Sequence, residues 1–136
     1  MIQLNPNLEI GNLLRQARTI AIVGLSPKVD RPSNMVGRYL LDAGYTLFPV
    51  NPGQTEILGL KCYPDLSSIP EHIDIVDIFR RSEDVYPFVE EAVKIEAGAI
   101  WMQLGIVNQE AAAFARRHGL FVVMDRCIKV DHSTLL

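Results

Sequence analysis

Five short apolar, β-branched runs are spaced along the chain with helical patterns between them, and this alternation leaves few folds open. The first run, Thr19–Val23 (TIAIV), passes into Gly24 without a polar interruption, as suits a strand covered on both faces. Tyr45–Val50 (YTLFPV), Ile73–Phe79 (IDIVDIF), Ala97–Met102 (AGAIWM) and Leu120–Met124 (LFVVM) repeat the theme, with Pro49 limiting hydrogen bonding near the end of the second run. Between them, Ser33–Ala43 places Met35, Val36, Tyr39, Leu40 and Ala43 at helical spacing, and Gly44 follows as a stop. Ser82 is a candidate N-cap for EDVYPFVEEAVKIEA, with Glu83 and Asp84 in the first turn where the helix dipole favours them. Asn108 caps QEAAAFARRHG, which carries Arg116, Arg117 and His118 in its last turn and Gly119 as terminator. Asn5–Arg18 reads as an extra helix leading into the sheet, and residues 51–70 as a long connection with at most a short helix near Asp65–Ser68.

This order predicts an α/β fold: a Rossmann-like, doubly wound sheet of about five parallel strands with helices on both faces. The 136 residues, 49% apolar and 21% charged, fit one packed domain spanning 1–136. Thirteen Lys and Arg against sixteen Asp and Glu leave a net charge of −3, which argues against a nucleic-acid partner. No apolar run approaches the length of a membrane span, so no membrane partner is expected. Cys62 and Cys127 lie far apart with no C-x-x-C pair, and MIQLNPNLEI lacks the basic and apolar regions of a signal peptide; both point to a reduced, cytoplasmic setting.

Doubly wound sheets bind ligands beyond the carboxyl ends of their strands, so the residues after each run are the candidates. After the first come Gly24, Leu25, Ser26, Pro27, Lys28, Val29, Asp30, Arg31, Pro32 and Ser33. Only the first glycine of a G-x-G-x-x-G fingerprint is present, yet the long loop can offer N–H groups, a hydroxyl, Lys28 and Arg31 to a phosphate beside a helix start. After the second run Asn51-Pro52-Gly53 stands where a NAD protein has an acid; Asn51 either contacts a ligand or caps a Pro-Gly turn. After the third, Phe79 is either a cover for an aromatic ring or core, and Arg80 and Arg81 either bind phosphate or pair with Glu83 and Asp84. After the fourth, Gln103 is a polar group in an apolar stretch, placed to fix a ligand amide or to satisfy a neighbouring loop. After the fifth, Cys127 with His132 and Asp131 with His132 invite nucleophile and metal readings, but neither spacing fixes a geometry.

Taken together, Ile22–Ser26 with Arg31-Pro32-Ser33, Pro49–Pro52, Val76–Arg81, Trp101–Ile106 and Met124–Lys129 resemble the small, stand-alone CoA-binding protein family. That family is related to the N-terminal CoA-binding domain of the succinyl-CoA synthetase alpha subunit. The resemblance runs from about Ile10 to His132 and rests on five ordered motifs. It implies a Rossmann-like fold with coenzyme A or an acyl-CoA as ligand. By position it implies that Gly24, Leu25 and Ser26 line the nucleotide phosphates, that Arg31 reaches them, and that Asn51 and Pro52 flank the adenosine end. Phe79, Arg80, Met102 and Gln103 would line the far wall. The synthetases use a separate domain for the phosphorylated histidine and a partner subunit for the nucleotide, and no stretch of this chain matches either. The resemblance thus implies binding without the ligase reaction.

Three functions follow as expectations. The first is a CoA or acyl-CoA binding or sensor protein without catalysis. The second is an NAD(P)-binding oxidoreductase or redox sensor, disfavoured by the missing glycine and acid. The third is an assembly subunit for a synthetase-like partner. The apolar content and the leading helix give a homodimer as a further expectation.

Overall fold

The computed structural model describes residues 5–136. Its centre is a five-stranded sheet built from β1 (Thr19–Val23), β2 (Thr46–Val50), β5 (Ile75–Ile78), β6 (Ala99–Met102) and β7 (Phe121–Val123), with a separate two-stranded hairpin of β3 (Glu56–Ile57) and β4 (Leu60–Lys61). The large sheet has the order β2-β1-β5-β6-β7 and is parallel throughout. Five helices accompany it: α1 (Pro6–Gln16), α2 (Pro32–Asp42), α3 (Tyr86–Lys94), α4 (Gln109–Arg117) and α5 (Ile128–Leu135).

Each strand feeds two cores, because successive side chains point to opposite faces. Ile20 and Ile22 of β1, Ile75 of β5 and Trp101 of β6 pack with Ile10 and Leu14 of α1, Val36 and Leu40 of α2 and Ile128 of α5. Ala21, Val23, Val76, Ile78, Ile100 and Met102 face the other way, against Val89 and Ala92 of α3 and Ala111 and Ala115 of α4. Burial on both faces is why these runs read as continuous apolar segments rather than alternating ones. Pro49 is tolerated because β2 is an edge strand; its carbonyl still accepts from the Tyr63 amide at 2.9 Å.

Local chemistry starts most helices where the sequence predicts. Asn5 caps α1 with its side-chain oxygen 3.0 Å from the Asn7 amide, and Asn108 caps α4 at 2.9 Å from the Ala111 amide. Asp65 does the same for a 3-10 turn at Leu66–Ser68, 2.8 Å from the Ser68 amide.

Three places differ from expectation. Ser82 caps no α-helix: Ser82–Asp84 is a 3-10 turn, and α3 begins only at Tyr86. A helix begun at Glu83 would place Pro87 in its interior, where the missing N–H and the ring are costly; starting at Tyr86 puts Pro87 in the first turn. Ser82 instead ties two loops, its hydroxyl accepting from the Val107 amide at 3.0 Å and its carbonyl from the Asn108 side chain at 3.0 Å. Residues 51–70 contain the β3–β4 hairpin, turned by Leu58 (φ 57°) and Gly59 (φ 74°). The segment after β7, for which the sequence predicts no element, forms α5 from Ile128.

Relabelled in chain order among the five parallel strands, the sheet runs 2-1-3-4-5. The chain leaves β1 through α2 to the edge strand β2, then re-enters at β5 on the opposite side of β1. The loop after β1 bends towards the α2 face and the loop after β5 towards the α3 face. A crevice opens between them, at the position where such sheets hold ligands.

Candidate functional site

The cleft begins at Gly24, which leaves β1 with φ 84° and donates its N–H to the Val50 carbonyl at 2.9 Å. A Cβ here would collide with the carbonyl oxygen of Phe79. Only glycine therefore serves both the left-handed turn and the close approach of the β1 and β5 loops.

The loop that follows is pinned to the first turn of α2. The Ser33 hydroxyl accepts from the Ser26 amide at 2.9 Å, the Ser26 hydroxyl from the Lys28 amide at 3.1 Å, and the Ser26 carbonyl from the Asn34 side-chain amide at 2.9 Å. Arg38 braces Asn34 at 3.0 Å and the Val29 carbonyl at 3.0 Å. Arg31 occupies the N-cap position of α2 but makes no side-chain cap bond. Gly24, Ser26, Lys28, Arg31, Ser33 and Phe79 line the resulting recess.

A second recess adjoins it across Gly24. Val23, Val50, Pro52, Pro64 and Phe88 give it apolar walls, and Asn51 and Arg80 supply its polar groups. Asn51 spans two loops: its NH2 donates to the Leu25 carbonyl at 3.1 Å and its side-chain oxygen accepts from the Gly53 amide at 3.0 Å. Asn51 thus caps the Pro-Gly turn and also faces the cleft. The Arg80 guanidinium lies 5.7 Å from the centre of the Phe88 ring, an attractive cation–π arrangement.

Among the described residues, ion pairs separate the cations. Arg81 is bound by Asp84 at 2.9 Å and is 76% exposed on its side chain, whereas Lys28, Arg31 and Arg80 have no carboxylate within pairing distance. Three uncompensated positive side chains thus converge on the two recesses.

The remaining sequence candidates contribute differently. Leu25 and Met102 are fully buried in opposite cores, so Leu25 can offer only its backbone. Gln103 is buried, and its side-chain oxygen accepts from the Ile128 amide at 3.2 Å, holding the start of α5. Phe79 is half-buried, part of the recess and packed on the α2 face.

The weaker constellations resolve into structure. The His132 ring hydrogen-bonds the Tyr39 hydroxyl at 2.8 Å, and Asp131 takes both ends of Arg126 at 2.7 and 3.2 Å. Among the described residues no three of His, Cys, Asp and Glu gather as a metal set, and no helix is long and apolar enough to cross a membrane. Ser33 stands among the candidates that follow the first run, whereas the sequence does not single out Asn34, Pro64 or Phe88. Ser33 follows the Arg31-Pro32 pair at a helix start, a usable signal; Pro64 and Phe88 reach the cleft only through folding.

Fold and cleft define a doubly wound α/β protein with a cation-lined crevice at its switch point. The profile of the family described as CoA binding domain matches residues 18–133, and the chain belongs to that family. It is 45% identical over 130 residues to the uncharacterized protein YneT of Bacillus subtilis, covering 95% of this chain and 96% of that one. It is 32% identical over 130 residues to an ADP-forming acetate–CoA ligase I of Archaeoglobus fulgidus, covering 87% of this chain but only 19% of the ligase. Among solved structures, a hypothetical protein from Pyrococcus horikoshii OT3 superposes with a TM-score of 0.93 at 38% identity, with 99% of each chain covered.

Proposed function

We propose that this protein binds coenzyme A or an acyl-CoA across the carboxyl ends of β1, β2 and β5, as a binding or sensor protein without chemistry of its own. The observation that carries this reading is the set of unpaired cations, Lys28, Arg31 and Arg80, around the two joined recesses of a CoA-binding-family domain. The ligand is a nucleotide with several phosphates and a long amide arm, and each part has a chemical counterpart. Lys28 and Arg31 beside the pinned loop suit phosphate. The recess walled by Val50, Pro52, Pro64 and Phe88 suits a flat ring, with Arg80 at its mouth for a second phosphate.

The absence of catalysis rests on the lining. Among the described residues around the recesses there is no Cys, His, Asp or Glu, and the Ser26 and Ser33 hydroxyls each accept from a backbone amide with no base beside them. Similarity to the acetate–CoA ligases supports the shared ligand rather than the ligase reaction, since this chain spans about a fifth of their length.

Isothermal titration of the full chain with CoA and with acetyl-CoA tests the reading. Saturable binding is expected, weakened about tenfold or more by Arg80→Ala, in keeping with about 1.5–3 kcal/mol for a hydrogen bond to a charged group. Flat titrations with both ligands would falsify the proposal.

A further inference from the structure

Asp77 is the one carboxylate within the large sheet, and the cleft does not use it. It lies inside β5, the middle strand, with Ile22 of β1 and Trp101 of β6 as its register partners. Those partners place it on the face covered by α1, α2 and α5. It is fully buried, and among the described residues neither carboxylate oxygen has a hydrogen-bond partner.

The other ionisable groups of that face are engaged elsewhere or exposed. On α5, Asp131 holds Arg126, Lys129 lies over the Tyr39 ring, and His132 bonds the Tyr39 hydroxyl. On α2, Arg38 is fixed by Asn34 and Val29, and Asp42 is exposed. On α1, Glu9 is half-buried and lines an outer recess with Pro6 and Arg116, and Arg15 bonds Asn12. Tyr45 donates to the Leu14 carbonyl, Cys62 to the Asn51 carbonyl, and Cys127 sits at the start of α5. Among the described residues no charge relieves Asp77: burial pushes its carboxyl well above the usual range. An unpaired charge in an apolar interior costs far more than a neutral acid.

We propose that Asp77 is a pH-sensitive device built into the central strand: it is carried as the uncharged acid in the folded sheet, and its ionisation opposes the packing of the strand that delivers Phe79 and Arg80 to the cleft. Folding then takes up a proton once the pH exceeds the unfolded-chain value of about 3.9. The native proton affinity is the higher one, so this contribution to stability is complete below that value and is lost as pH rises towards the native one. Within that window the folding equilibrium weakens by up to about tenfold per pH unit.

The test is carbon-13 NMR of the full chain labelled at aspartate, combined with denaturant unfolding across pH. The Asp77 carboxyl signal, assigned by its loss in Asp77→Asn, is expected to keep its protonated position at neutral pH while exposed aspartates titrate near about 4. The ratio of the Asp77→Asn folding constant to that of the wild type is expected to be flat below about pH 4 and to climb above it. Asp77→Leu, bulkier but with the same branching and uncharged, serves the same comparison should the amide fail to fold. A carboxyl signal that titrates with the exposed aspartates, or a stability ratio independent of pH, overturns the proposal; so does a wild-type spectrum in which no aspartate carboxyl keeps its protonated position at neutral pH, a reading that needs no variant.

Discussion

Asp74 and Asp77 stand three residues apart on one stretch of chain and answer to pH with opposite signs. Asp74, just before β5, is partly desolvated, which by itself raises its pKa. The Arg18 and Thr19 amides at 2.7 and 3.2 Å, with His72 nearby, outweigh that burial and hold its carboxyl below the usual carboxylate range. Its contribution is therefore present above the unfolded value of about 3.9 and lost as pH falls through the lower native one. Asp74→Asn is expected to cost about 1 kcal/mol at neutral pH, read by urea unfolding, with the difference from wild type shrinking in acid. An equal difference at every pH would show that the charge plays no part. The sequence presents the two as similar acids in IDIVDI; only their surroundings separate them.

At the scale of elements, α5 shows what pattern reading misses. IKVDHSTL buries only Ile128 and Asp131, and Cys127 supplies no side-chain cap, so neither periodicity nor capping announces a helix. Tertiary contacts make it: the His132 ring meets Tyr39 and Tyr45 edge-on at 5.4 and 5.7 Å between centroids. Burial lowers the His132 pKa, so the folded protein prefers the neutral ring. Protonation is then taken up more readily by the unfolded chain, and stability falls as pH drops through about 6.5. His132→Gln is expected to remove this part of the pH dependence, measured by thermal unfolding between about pH 5 and 8; an unchanged profile would rule out His132 as its source. The β3–β4 hairpin escaped notice for another reason. Its two central residues both need positive φ, a role signalled by Asn-Gly or Asp-Gly, whereas Leu58-Gly59 gives no such cue. The shifted start of α3 was legible in principle, since Pro87 bars a helix begun at Ser82.

At the scale of the whole molecule, the cleft exists because the order of strand addition reverses at β1. Lys28 and Arg31 follow one strand, Asn51 a second and Arg80 a third, and the switch point brings them together. If CoA fills that cleft, it should stabilise the native state by about 2.7 kcal/mol when free ligand is a hundred times Kd. Thermal unfolding with and without CoA measures this, and no shift at saturating CoA would contradict ligand binding to the folded form. By itself the sequence determined the five strands of the large sheet and their burial, the ends of most helices and the doubly wound class. These are local matters, set by period, capping and turn chemistry. The tertiary structure decided which cations stay unpaired, that Arg81 is held by Asp84 while Arg80 is free, that Gln103 braces α5, and that Pro64 and Phe88 wall the cleft. It also placed Asp77 between Ile22 and Trp101. Each depends on which distant groups meet in space, and so on charge pairing and burial, which no stretch of sequence contains alone.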